Sequence, residues 1–125
     1  MVRKISLQIF VLFSIASCSS QFDVKAIENV YIQDFQSTDI DSCTQNDVNL
    51  SHADSAEFFR LARLVDSKVI HDHYNYAPCY IEGTLLYNGK ICDWEIRAGK
   101  TAMIKCQNEE YNFVCDSCES LFEKS

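Results

Sequence analysis

The apolar positions of this chain fall into distinct regimes. From Ile5 to Ala16 they form a nearly unbroken run, ISLQIFVLFSIA, closed by the small residues Ala16 and Ser17. In VYIQDF they alternate through Val30, Ile32 and, less regularly, Phe35, which predicts a strand at a sheet edge. In LSHADSAEFFRLARLVDSKVI, from Leu50 to Ile70, the spacing lengthens to three and four. Ala56, Phe59 and Ala62 or Arg63 fall on one line, and Phe58, Leu61 and Val65 on the next. That stripe predicts one amphipathic helix with its apolar side in the core. Ser51 followed three residues later by Asp54 has the form of a helix cap, with Asp54 and Glu57 at the positive helix end and Leu50 placed to staple the first turn.

After the connector HDHYNYAP, CYIEGTLLY and KICDWEIR flank Asn88-Gly89, a pair that favours a two-residue hairpin because both residues tolerate positive φ. Such a turn sets Leu85 opposite Cys92, Gly83 opposite Trp94 and Ile81 opposite Ile96 on one face, where Gly83 leaves room for the indole. Glu82, Thr84, Asp93 and Glu95 fall on the other, wet face. A three-residue loop at Ala98-Gly99-Lys100 keeps Ile96 against Ala102, Trp94 against Ile104 and Cys92 against Cys106. A two-residue loop there turns Ile104 outward. A four-residue loop, QNEE, then sets Cys106 against Tyr111 and Ile104 against Phe113. The expected fold is α+β: one amphipathic helix packed on a four- to five-stranded antiparallel meander, stapled by disulfides.

The leading apolar run bears on location. It follows Arg3 and Lys4, and it falls short of the roughly 20 residues that span a bilayer, so it reads as a secretory signal peptide. The tetrad Ile15-Ala16-Ser17-Cys18 resembles the lipobox of bacterial lipoproteins. That resemblance implies cleavage before Cys18 and attachment of diacylglycerol and palmitate-class acyl chains there; two or more such chains hold a protein stably on a membrane. Ser19 in place of an aspartate resembles the outer-membrane sorting pattern. The expected organisation is a leader over residues 1–17, a tether over 18–29 and a single α+β domain over 30–125. The expected place is the bacterial outer membrane, lipid-anchored, with the domain facing the periplasm.

Of seven cysteines, six remain once Cys18 carries lipid: Cys43, Cys79, Cys92, Cys106, Cys115 and Cys118. An even count in an oxidising compartment predicts a disulfide framework. Directly opposed positions lie within disulfide reach, so Cys92–Cys106 is the first expected bridge. Cys115 and Cys118 close on each other or pair with Cys43 and Cys79. The whole chain has a formal charge of −7, and the leader contains Arg3 and Lys4 but no acid, so the remainder is more acidic still. Nucleic acid is excluded as a partner, because it demands clustered Lys and Arg. A cationic protein is the kind of partner that such a surface steers.

From about residue 48 onward the chain resembles a family of small, uncharacterised bacterial envelope proteins. The motifs that carry the resemblance are Phe58-Phe59, His71 to Tyr80 (HDHYNYAPCY), Gly83 to Leu85 (GTL), Cys92 to Gly99 (CDWEIRAG) and Cys115 to Phe122 (CDSCESLF). The resemblance supports the α+β expectation and implies no activity.

Candidate chemistry is sparse. Cys115-Asp116-Ser117-Cys118 is a CxxC, but it closes a meander instead of opening a helix, and Asp116 and Glu119 oppose a stabilised thiolate. A zinc site from Cys115, Cys118 and His71 or His73 has weak spacing support. His71 and His73 point the same way in an extended segment, and Tyr74, Tyr76 and Tyr80 add amphipathic contact area, so this stretch is the candidate interaction loop. Glu82 and Glu95 face each other across the hairpin without a cleft to serve glycosidase-like chemistry. No catalytic set, metal or cofactor is expected. The expected function is that of a small lipid-anchored envelope protein binding another protein, most concretely an immunity or inhibitor protein against a periplasmic toxin or hydrolase. The alternatives are an envelope maintenance or assembly lipoprotein, and a thiol-redox protein using Cys115 and Cys118.

Overall fold

The computed structural model describes residues 22–74 and 77–123. Cys18, the rest of the lipobox tetrad and Tyr76 lie outside the described residues. Among the described residues, six strands form one antiparallel sheet: β1 (Ile27–Ser37), β2 (Arg63–Val65), β3 (Cys79–Tyr87), β4 (Lys90–Arg97), β5 (Thr101–Cys106) and β6 (Glu109–Val114), in the order β1-β3-β4-β5-β6-β2. Three helices accompany it, α1 (His52–Leu61), α2 (Ser67–His73) and α3 (Glu119–Phe122), with short 3-10 turns at Val24–Ala26 and Gln45–Val48. The fold is α+β and disulfide-rich, as expected.

The meander follows the hydrophobic alternation closely. Leu85 lies opposite Cys92, Gly83 opposite Trp94 and Ile81 opposite Ile96, and the next hairpin sets Trp94 against Ile104 and Ile96 against Ala102. Asn88 and Gly89 both take positive φ, as their turn requires. One face of the sheet is thereby buried: Ile81, Leu85, Trp94, Ile96, Ile104 and Phe113 are all within it. α1 lies on this face through Phe58 and Phe59. Phe59 makes edge-on ring contacts with Phe58, Trp94 and Phe113. Each such fully buried large side chain contributes about 1.5–3 kcal/mol over its exposed state.

Four expectations are corrected. The last hairpin turns on two residues, Gln107 and Asn108, with Gln107 at φ 56°, so Cys106 lies opposite Glu109, Ile104 opposite Tyr111 and Ala102 opposite Phe113. The slip from the expected four-residue loop is by two positions, so the inward face is unchanged; the shorter turn extends the ladder to Thr101–Val114. The helix expected over residues 50–70 is broken. α1 begins with the reciprocal Ser51–Asp54 cap, Asp54 N–H donating to Ser51 Oγ and Ser51 N–H to Asp54 Oδ2, but it ends at Leu61. Arg63–Val65 instead pairs with β6 as a sixth strand, and Asp66 accepts from Lys68 N–H to start α2. Leu61, inward in a continuous helix, is 38% exposed.

The tether expected over 18–29 belongs to the domain from Phe22 on. Phe22 stacks on Tyr87 at 4.1 Å, Asp23 N–H donates to the Tyr87 hydroxyl at 2.9 Å, and β1 starts at Ile27. Finally, the missing side chain of Gly83 accommodates β1 and not the Trp94 indole: a Cβ there would stand 1.7 Å from the Tyr31 carbonyl oxygen. β1 is an edge strand, as expected, with irregular register on either side of that approach.

Three disulfides staple the described residues: Cys43–Cys79, Cys92–Cys106 and Cys115–Cys118. The first ties the β1–α1 connection to the start of β3. The second crosses β4 and β5, as the register predicts. The third closes the CxxC on itself.

Candidate binding face

The face of the sheet away from α1 is built from the polar positions of the same alternation. Asp34, Glu82, Glu95, Met103 and Asn112 form one cross-strand row, and Thr84, Asp93, Lys105 and Glu110 form the next. Two features distinguish this face from a merely wet one. Glu82, Asp93, Glu95, Met103 and Lys105 border a shallow recess of about 160 Å³. The Glu95–Arg97 pair is also largely shielded, with Arg97 Nε donating to Glu95 Oε2 at 2.8 Å. Arg97 additionally lies over the Tyr80 ring, 4.3 Å from its centroid, and donates to the Ala77 carbonyl at 2.9 Å. Burial pushes the Glu95 carboxyl above its ordinary range; Arg97 pulls it down, while Glu82 and Glu110 push it up again.

The expected interaction stretch is dispersed. His71 and His73 lie on α2 and not in an extended segment; on a helix residues two apart are about 200° apart, so the two do not point the same way as expected. The His71 side chain is 90% exposed, its Nδ1 3.4 Å from Asp72 Oδ1. Tyr74 donates to Asp116 Oδ1 at 2.6 Å and accepts from Arg63 Nη2 at 3.1 Å, and Arg63 Nε donates to Asp116 Oδ2 at 2.9 Å. Tyr74 is thus a lock between the first turn of the CxxC and the edge strand β2, and Tyr80 is the platform for Arg97.

The cysteines serve as staples in this geometry. Cys115 and Cys118 are both buried and bonded to each other, which engages the sulfurs that a zinc site there would need. Contrary to expectation, the CxxC leads directly into a short helix, with Cys118 at the N-cap of α3. Cys43, Asp47 and Cys79 bring metal-type donor atoms together among the described residues, yet their sulfurs form a disulfide and the Asp47 carboxylate accepts from Thr44 N–H at 2.7 Å. Asp34, Arg97, Lys105 and Glu110 of this face were not singled out by sequence, and neither was His52, which at the start of α1 accepts from Ile32 N–H through Nδ1 at 3.0 Å and stacks on Tyr31. It thereby occupies part of the open edge of β1, a role that no local pattern announces.

No family model, no curated protein and no solved structure matches this chain.

Proposed function

We propose that the protein is a lipid-anchored envelope protein that binds another protein, most concretely an immunity or inhibitor protein that covers a cationic toxin or hydrolase in the periplasm. It acts by occlusion, without catalysis, and is held at the outer membrane by acyl chains on Cys18. The observation that carries the binding reading is the acidic face of the sheet. Asp34, Glu82, Asp93, Glu95 and Glu110 share it with Arg97 and Lys105, and Arg97 is already engaged with Glu95 and Tyr80. Such a field raises encounter rates with a cationic partner and rejects acidic ones. Three disulfides, one across the sheet and two in the segments that flank it, favour a preformed surface, which lowers the entropic cost of docking.

The test is capture from solubilised envelope at low and high salt, using wild type, a Glu82→Gln/Asp93→Asn variant and a His71→Ala/His73→Ala control. The expected result is a partner retained by wild type and by the control, and lost on raising salt or neutralising the two carboxylates. Capture indifferent to salt and to both carboxylates, or no capture by wild type, contradicts the reading.

A further inference from the structure

A groove of about 550 Å³ runs between α1 and the start of β1 with the 3-10 turn before it. One wall is Val24, Ile27 and Val30, and the other is Ala53, Ala56 and Phe59. The three branched side chains stay only half-buried because the facing helix offers them two exposed alanines where larger residues would close the gap. Phe59 forms the base and is fully buried, with Trp94 against its far side at 5.7 Å between ring centroids. The Glu57–Arg60 ion pair stands at the rim. Lys25, Glu28 and Asn29 complete the lining, so the trough is apolar along the six residues of its two walls and polar elsewhere; its volume is within the about 300–1,000 Å³ range of small-ligand sites.

The position of the groove along the chain points to what fills it. Phe22 and Asp23 are fixed on Tyr87, and Val24, the next residue, is already groove wall. Cys18 precedes Val24 by six residues, a length that reaches at most about 20 Å when extended. We infer that the groove is a fatty acyl-chain site and that its occupant is an acyl chain carried by Cys18, held there whenever the lipid is out of the bilayer. The source of the chain rests on the lipoprotein reading above. An unbranched hydrocarbon requires no hydrogen-bond partners, and it covers the half-exposed side chains of Val24, Ile27 and Val30.

Trp94 is the single tryptophan and stands one ring behind the groove wall, so its fluorescence reports occupancy. The experiment titrates 9,10-dibromostearate, whose bromines quench indole at short range without needing contact and so reach Trp94 past the Phe59 ring, into three full-chain proteins: acylated wild type, Cys18→Ser, and Cys18→Ser/Ala56→Phe. Incorporation of an alkyne fatty acid at Cys18 is checked separately in the native cell. The expected result is saturable quenching of Cys18→Ser by about half. The Cys18→Ser/Ala56→Phe variant, in which the new ring fills the groove from an exposed helix position and whose melting is checked to match, is not quenched. Acylated wild type is not quenched either, because its own chain holds the site.

No quenching of Cys18→Ser, equal quenching of the filled variant, or full quenching of acylated protein overturns the assignment. A Cys18→Ser dimer that dissociates on filling the groove assigns it to a second copy and also overturns it. Incorporated label together with unquenched Cys18→Ser rejects the groove while leaving the lipoprotein reading intact. Absence of label rejects both.

Discussion

The carbonyl oxygen of Tyr31 occupies the place where a side chain on Gly83 would begin, 1.7 Å from the position of the missing Cβ. β1 is thus pressed onto β3 by backbone, and its register is irregular on both sides of the contact. Gly83→Ala is expected to force β1 outward and to cost about 3 kcal/mol or more, at or beyond the upper end of overpacking losses. Gly89→Ala, where φ is +77° and nothing lies within 4 Å, is expected to cost only about 1–2 kcal/mol through left-handed strain. Urea denaturation followed by Trp94 fluorescence checks the difference; equal losses contradict the account of Gly83.

The three disulfides close loops of very different length, with sequence separations of 36, 14 and 3. Loop-closure entropy then ranks them at about 4, 3 and 1.5 kcal/mol. Pairwise replacement by alanine is expected to lower the melting temperature most for Cys43/Cys79, less for Cys92/Cys106 and least for Cys115/Cys118. A Cys115/Cys118 loss as large as that of Cys43/Cys79 shows that the CxxC does more than close its own turn.

Two tyrosines are expected to titrate late. The Tyr111 hydroxyl donates to Glu109, and this hydrogen bond is the main cause that pushes its pKa from 10.0 up to about 12. Tyr74, donating to Asp116, is also raised, while Asp116 is held below its ordinary range by the Tyr74 hydrogen bond first and Arg63 second. The signs differ. The raised phenol of Tyr111 contributes stability that is present below pH 10 and fades as pH rises toward about 12. The lowered Asp116 carboxyl contributes stability present above its ordinary pKa of 3.8, lost as pH falls through its folded value. Phenolate absorbance against pH checks this: Glu109→Gln is expected to move one late tyrosine back toward 10, and an unchanged curve contradicts it.

Period-two alternation and the Asn88-Gly89 turn specified the central meander, because a one-residue slip turns every buried side chain outward. They could not distinguish a two- from a four-residue loop before β6, since both keep Ile104 and Phe113 on the same face. The break after Leu61 was not legible either: Phe58, Leu61 and Val65 fit a helix, and only the vacant edge of β6 gives Arg63–Val65 a reason to extend. Asp66, which caps α2, was the local signal available. Gly83 was recognisable as a position where something approaches closely, but the nearest atoms belong to Tyr31, 52 residues away in sequence. The acidic face was legible in Glu82 opposite Glu95. The locks made by Tyr74 and Tyr80 depend on Asp116 and Arg97, partners whose proximity only the folded sheet creates.

The most direct test of the proposed lipid anchor, and of the disulfide framework with it, is intact-mass spectrometry of material from the native cell, before and after thiol alkylation. The expected species starts at Cys18, carries the added mass of diacylglycerol and acyl chains, and takes up no alkylating reagent. A species that retains Met1 and is alkylated at its cysteines contradicts the anchor, the compartment and the staples at once.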